Sequence, residues 1–165
     1  MEKIKLETLC LDRYSEKYKN LKDEFNGNSV SRFVDSINDR LISSALNDEF
    51  SFQSAYIVLS KNEPIGYVYI SNNVKDEVFL ELSILKDKRN MGYGSKIINE
   101  LSDYLFNNYN IRCVKLDIDP SNINSIKTAD SCGFLFDEDE YERRDYTGRM
   151  VFYKESDCYI NKRRK

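Results

Sequence analysis

Histidine is absent from all 165 residues. Imidazole is the commonest general base near neutral pH and the commonest metal ligand, so serine or cysteine triads built on it are excluded and no metal is expected. Tryptophan is also missing, and only two prolines and six glycines are present, too few for long flexible linkers. The four cysteines, Cys10, Cys113, Cys132 and Cys158, stand far apart without CxxC spacing. They read as reduced, mostly buried thiols. No window approaches the roughly 18 apolar residues of a membrane span, and the start, Met1-Glu2-Lys3-Ile4-Lys5, lacks the apolar stretch of a secretion signal. A cytoplasmic location is the expectation. The net charge of −3 carries no basic excess of the kind a general nucleic-acid binder needs. Basic residues concentrate only at Lys162-Arg163-Arg164-Lys165, read as a solvated tail. One domain is therefore expected over 1–156, with a basic C-terminal tail over 157–165.

What is present fits a folded core: 41% hydrophobic and 32% charged residues, with 12 tyrosines and 9 phenylalanines. Lys3–Leu9 alternates polar and apolar residues and predicts a strand. Asp12 caps a predicted helix carrying Tyr14, Tyr18, Leu21 and Phe25, and a second helix carries Phe33, Ile37, Leu41 and Ala45. Ala55–Ser60 and Ile65–Ser71 form a hairpin through Lys61-Asn62-Glu63-Pro64, and Glu77–Leu85 is a third β-rich run. Ile97, Ile98, Leu101, Tyr104 and Leu105 then trace one face of a helix. Arg112–Ile118 predicts a strand, Asn122–Cys132 a helix closed by Gly133, and Phe134–Phe136 and Arg149–Tyr153 two last strands. The order β-α-α-β-β-β-α-β-α-β-β contains one βαβ crossover, from Glu77 to Ile118, and implies an α/β fold with a mixed sheet covered by helices.

At that crossover a strand runs into a charged loop, Lys86–Gly94, and the loop opens directly into a helix. Unpaired N–H groups at a helix start hold phosphate oxygens, helped by the positive end of the helix dipole. Gly92 and Gly94 let a diphosphate come close, and Lys88, Arg89 and Lys96 add positive charge. On chemistry alone the loop binds an anion of the nucleotide-diphosphate kind. A Walker loop is excluded because Gly-Lys-Ser/Thr is missing. A dinucleotide fingerprint needs a third small residue where Ile97 stands and repeated βαβ units, although Asp117 lies near the distance of a ribose-binding acid.

Arg89-x-x-Gly92-x-Gly94 resembles the Gln/Arg-x-x-Gly-x-Gly/Ala signature of the GNAT superfamily of N-acetyltransferases. Ile84 stands where that family has its apolar strand-end residue. Leu116-x-Ile118-x-x-x-Asn122-x-x-Ser125, followed by Gly133-Phe134, resembles its second block, and the element order is similar over about residues 3–155. The resemblance implies a GNAT-like acyl-CoA N-acyltransferase fold with acetyl-CoA as cosubstrate, lying between two strands that splay apart. It implies that backbone groups near Ile84 and Lys86 pair with the pantetheine arm. Amides from Asn90 through Met91, Gly92, Tyr93 and Gly94 to Ser95 would hold the pyrophosphate, with Arg89 opening the motif. Asn122 and Ser125 would meet the cofactor from the other side. The reaction implied is direct attack by the primary amine of an acceptor, a small molecule or a peptide. A homodimer is left open; no membrane or nucleic acid enters.

One departure touches catalysis. The family often carries a tyrosine seven residues after the motif asparagine to protonate the leaving thiolate; that position is Ala129 here, which leaves Ser131, Tyr141 or a water for the task. A thiolate of a thiol with pKa near 8.5 is already a fair leaving group. The candidate base is Glu81, a charge flanked by Leu80 and Leu82 inside a strand, with a solvent-side glutamate as the other reading of that residue and Glu77 as the fallback. An alkyl amine with pKa near 10.4 requires roughly 4–5 kcal/mol to reach its neutral form at pH 7, which a carboxylate assists by accepting the proton. Two alternatives stand beside this reading: a catalytically weak acyl-CoA-binding module, suggested by Ala129, and a nucleotide- or dinucleotide-binding domain, suggested by Gly92, Gly94 and Asp117. The acidic run Asp137–Glu142 reads as a solvated loop, or as a surface attracting a cationic acceptor.

Overall fold

The computed structural model describes residues 4–8, 54–74, 76–109, 111–143 and 148–163. The two helices expected around residues 12–25 and 33–45 lie outside the described residues. The chain divides into two compact units, Met1–Ser71 with Leu82–Met91, and Asn72–Glu81 with Gly92–Lys165.

The first unit is a run of strands. β1 (Lys5–Thr8) pairs antiparallel with β2 (Ser54–Ser60), Lys5 against Leu59 and Thr8 against Tyr56. β2 turns back through Lys61 and Asn62, both at positive φ (52° and 64°), into β3 (Glu63–Val74). Asparagine tolerates that left-handed region, which a two-residue hairpin of this hand requires at both positions. The register shifts by one at Val58/Leu59, where Gly66 and Pro64 face successive residues and Ile65 is the extra one. Pro64 donates no N–H, and a bulge is where a ladder tolerates that loss. β4 (Glu77–Ile84) follows, its last three residues in this unit. Ile57, Val58, Ile65, Val68 and Leu85 are buried here.

The second unit opens with the start of β4, followed by α1 (Tyr93–Asn108), β5 (Cys113–Ile118) and α2 (Ile123–Ser131). β6 (Leu135–Phe136), α3 (Glu138–Arg143), β7 (Met150–Glu155) and α4 (Asp157–Arg163) complete it. β4 and β5 are parallel, joined by the expected βαβ crossover, while β5–β7 and β7–β6 are antiparallel. A mixed sheet results. Alternation along β4 buries Val78 and Leu80, and along β5 Val114, Leu116 and Ile118. Ile97, Ile98, Leu101 and Leu105 supply the buried stripe of α1 at helical spacing.

Two segments differ from the sequence expectation. The acidic run taken as a loop is the helix α3, started by Asp137, whose carboxylate accepts from the Glu140 N–H at 2.9 Å. The segment expected as a basic tail is helical from Asp157 to Arg163. Among the described residues no helix is long and apolar enough to cross a membrane.

Candidate active site

Four register pairs, from Glu77–Cys113 to Leu80–Leu116, make the whole parallel ladder between β4 and β5. β5 continues beside β7 to the pair Ile118–Met150, and β4 itself runs to Ile84. The recorded ladder thus ends at Leu80 with Leu116. Glu81 is the first residue of β4 beyond it. Alternation with the buried Val78 and Leu80 puts Glu81, half-buried, on the face of Glu77 and Phe79. Glu77 is committed elsewhere: it pairs with Arg112, and with Lys115 at 2.9 Å. Of the two carboxylates considered as the base, Glu77 is therefore tied into a structural ion-pair group.

In the first unit, the end of β4 leads through Leu85 into one turn of 3-10 helix, Lys86–Lys88. The Leu85 N–H donates to the Ile65 carbonyl at 3.0 Å, and the Lys88 N–H to the Leu85 carbonyl at 2.9 Å. Arg89 folds its side chain back, Nε donating to the Ile84 carbonyl at 3.0 Å. Lys88 reaches Glu63 at 3.4 Å. The charges of Arg89 and Lys88, counted on sequence toward a phosphate, thus meet groups of the protein in this structure. Asn90 takes a left-handed conformation, φ 60°, and Lys86 and Met91 are exposed.

In the second unit, Gly92 is the N-cap residue of α1 at φ 78°, a conformation that glycine adopts without strain. No side chain caps this 16-residue helix and no acid stands in its first turn. The first bond of the helix runs from the Lys96 N–H to the Gly92 carbonyl at 3.2 Å. The N–H groups of Tyr93, Gly94 and Ser95 therefore lack intrahelical acceptors. An anion suits this end: bare donors, the positive end of the dipole, and nothing negative to compete. A Cβ at Gly94 would stand 3.7 Å from the Thr128 methyl, and the Cys132 thiol contacts the Ser95 carbonyl at 3.6 Å. The start of α1 is therefore seated on α2. Lys96 pairs with Glu100 at 3.5 Å.

Asn122 caps α2, its Oδ1 accepting from the Ser125 N–H at 3.2 Å. That bond unites two of the expected site residues and leaves the Asn122 amide nitrogen as its remaining polar group. Ala129 is wholly buried. Ser131, one suggested replacement for the missing tyrosine, donates its hydroxyl to the Thr128 carbonyl at 2.8 Å. Tyr141 sits on α3 with its ring 5.6 Å from that of Phe136.

Sequence reasoning missed the charged groups that frame β5. At its start, Arg112 gathers Asp76 (3.2 Å), Glu77 and Glu155 (3.7 Å) and lies 5.0 Å from the Tyr159 ring. Burial pulls its pKa down, but the charge and hydrogen bond of Asp76 outweigh that and hold it above the ordinary value. Burial also pushes the neighbouring Cys113 thiol up to about 11, against the opposing pull of Lys115 and Arg112. At the other end Arg149 pairs with Asp117, and Asp119 is held below the ordinary carboxylate range by the hydroxyl and N–H of Ser121. Apart from Asp119 with Ser121, these links join residues far apart in sequence. The one local signal is a basic residue directly before β7, whose antiparallel register carries Arg149 toward Asp119.

Residues 15–134 match the acetyltransferase (GNAT) family, and the chain belongs to it. It is an acyltransferase of the acetyl-CoA-dependent N-acetyltransferase class. No curated protein matches the chain. Among solved structures it is similar to the Campylobacter jejuni N-acetyltransferase PseH in complex with acetyl coenzyme A, at 18% identity and TM-score 0.65, covering 93% of this chain and 99% of that one. It is similar also to the Vibrio cholerae spermidine N-acetyltransferase in complex with CoA and spermine, at 15% identity and TM-score 0.67, covering 96% and 98%. A chimera of the Vibrio cholerae enzyme SpeG and hSSAT gives TM-score 0.70 at 18% identity, covering 97% and 99%. At such identities these likenesses concern the fold.

Proposed function

We propose that this protein transfers an acetyl group from acetyl-CoA to the primary amine of an acceptor by direct attack, with Glu81 taking the amine's proton. The uncapped start of α1 at Gly92 carries the reading: a 16-residue helix with bare N–H donors and no acid in its first turn suits a pyrophosphate. Amides of Asn90–Ser95 hold that group, main-chain groups near Ile84 and Lys86 pair with the pantetheine, and Asn122, with Ser125 beneath it, meets the arm through its amide nitrogen. When bound, acetyl-CoA supplies an acyl carbon activated by a thiolate leaving group. Strand-end amides stabilise the negative charge developing on the acyl oxygen. Glu81, half-buried at the ladder's end, accepts the proton directly or through a water.

The acceptors named for the structural neighbours include spermine and spermidine, and a cationic amine fits a site with a carboxylate base. Free thiols at Cys113, Cys132 and Cys158 support the cytoplasm as its location. A catalytically weak acyl-CoA-binding module is the second reading, favoured by one observation: Ala129 is wholly buried, so no acid comes from that position.

Calorimetry of acetyl-CoA binding, on the wild type and on Gly92→Glu, tests the cofactor. A side chain at φ 78° is strained, and a carboxylate there opposes the pyrophosphate. The expected outcome is micromolar binding by the wild type and a loss of about a hundredfold or more in the variant, equivalent to about 2.7 kcal/mol, with the fold intact by circular dichroism. A well-folded wild type that ignores acetyl-CoA sinks the reading. Turnover of a primary-amine panel separates the enzyme from the weak module.

A further inference from the structure

β7 carries one charge on a face that is otherwise apolar. Alternation puts Lys154 on the side of Phe152, and the register sets it against Val114, both of them buried. An ammonium is strongly hydrated, so a lysine there needs a polar group within reach. Its Nζ lies 5.8 Å from the centre of the Phe134 ring and donates to the Cys132 carbonyl at 3.0 Å. Cys132 is the C-cap residue of α2, so the cation meets the negative end of that helix. The thiol of the same residue donates to the Ser95 carbonyl, in the first turn of α1, at 3.6 Å. One turn earlier in α2, Thr128 commits its hydroxyl to the Asn124 carbonyl at 2.8 Å, and its methyl faces Gly94. A line of contacts therefore runs from the sheet through the end of α2 to Gly94 and Ser95. Those two residues, with Tyr93, carry the N–H groups that lack intrahelical acceptors. A methionine would fill the strand as well as Lys154 does; what the lysine adds is the bond to α2.

We propose that Lys154 and Cys132 are positioning residues for acetyl-CoA: by fixing the end of α2 they set the direction of the first turn of α1, where the pyrophosphate binds. This rests on the reading above that the start of α1 holds the cofactor. Several N–H groups grip one anion only while they converge on it, and a small turn of the helix start separates them. No side chain caps the start of α1. Among the described residues, it is the contacts with Thr128 and Cys132 that steady it. Lys154 in turn keeps the end of α2 from shifting along the sheet. The pair acts through the pyrophosphate and takes no part in moving the amine's proton. Its effect therefore falls on affinity for acetyl-CoA and not on the chemical step.

The test is calorimetry of acetyl-CoA on the wild type, Lys154→Met, Cys132→Ala, Cys132→Ser and the double variant Lys154→Met with Cys132→Ala. Release of the CoA thiol with a panel of primary amines is followed beside it. Lys154→Met is expected to weaken acetyl-CoA binding about tenfold, equivalent to about 1.4 kcal/mol. Cys132→Ala weakens it about threefold, while Cys132→Ser keeps a donor for the Ser95 carbonyl and stays near the wild type. The double variant binds like Lys154→Met alone, because the first change already releases the contact that the second removes. The KM for acetyl-CoA rises in step, and kcat at saturation stays within about twofold. A lower urea midpoint for Lys154→Met follows from a purely structural role too, but such a role leaves the affinity of the folded protein where it was. Should Lys154→Met fold poorly, Cys132→Ala against Cys132→Ser carries the same comparison. Unchanged affinity in the folded variants makes Lys154 a cap of α2 and nothing more, and overturns the proposal. A fall in kcat without a change in affinity overturns it as well, as does a Cys132→Ser variant as weak as Cys132→Ala, or losses that simply multiply in the double variant. A wild type that ignores acetyl-CoA removes the cofactor reading and this inference with it. A wild type that binds, with every variant matching it, removes the inference alone.

Discussion

At Gly66 the fold has no room for a side chain. A Cβ there would lie 2.2 Å from the Ser83 carbonyl oxygen and 3.1 Å from the Ile84 Cα. Both obstacles are backbone, so nothing can rotate aside. The site falls beside the residues of β4 proposed to receive the pantetheine arm, and the neighbouring Ile65 carbonyl accepts the Leu85 N–H at 3.0 Å. Gly66→Ala is expected to cost about 1–3 kcal/mol or more, the scale of overpacking a closed site. Urea denaturation reads it directly; a loss under about 0.5 kcal/mol would mean that the strands separate more easily than this contact implies. Gly92 and Gly66 differ in how they show themselves. Gly92 sits in a spaced motif before a helix, and its positive φ is the conformation such a turn needs. Gly66 lies in an ordinary β-rich run, and its constraint comes from a strand 17 residues downstream, which no local pattern encodes. The ion pairs Arg149–Asp117 and Arg112–Glu77 stayed hidden in the sequence for the same reason.

Among whole elements, those with a clear apolar period were legible. The strand expected at Glu77–Leu85 spans Glu77–Ile84, that at Arg112–Ile118 spans Cys113–Ile118, and the helix at Asn122–Cys132 spans Ile123–Ser131. α3 and α4 were not, because each is short, α3 largely charged and α4 without a repeated apolar period. They begin on local contacts rather than on an apolar face: Asp137 with Glu140 in α3, and the Ser156 carbonyl accepting from Tyr159 and Ile160 in α4. The pairing of Asp137 with an acidic residue three positions later is a capping pattern that could have revealed α3. Within α1 the apolar stripe contains one polar interruption. Ser102 is fully buried, and its hydroxyl has no hydrogen-bond partner among the described residues. A buried hydroxyl left unpaired costs about 1–3 kcal/mol, and alanine is the better helix former. Ser102→Ala is therefore expected to raise stability, by about 1 kcal/mol after allowing for the small void it leaves. A lowered urea midpoint would show that Ser102 is satisfied in solution by a group such as a buried water.

One buried thiol contributes to the response of the whole molecule to alkali. Cys113 lies in β5 beside Arg112 and Lys115, yet burial dominates and lifts its pKa from 9.0 to about 11. The native state thus keeps a proton that the unfolded chain gives up. Stability rises with pH wherever the unfolded state binds more protons; between these two values the native state binds more, so stability falls. The contribution is complete below about pH 9 and is lost as the pH climbs toward about 11. Tyrosines and lysines also titrate there, so the wild type alone cannot isolate the effect. Cys113→Ala can, because it removes this group and leaves the rest. Near pH 7 the variant should be the less stable, having lost buried volume at a fully packed position. As pH rises from about 9 to about 11 the gap should narrow steadily, since only the wild type carries the alkaline penalty. A gap in urea midpoint that stays constant over that range would show that Cys113 titrates as an ordinary exposed thiol and that water reaches β5 in solution. Peptide-mapped alkylation at neutral pH offers the matching readout: the exposed Cys158 should react well before the buried Cys113 and Cys132.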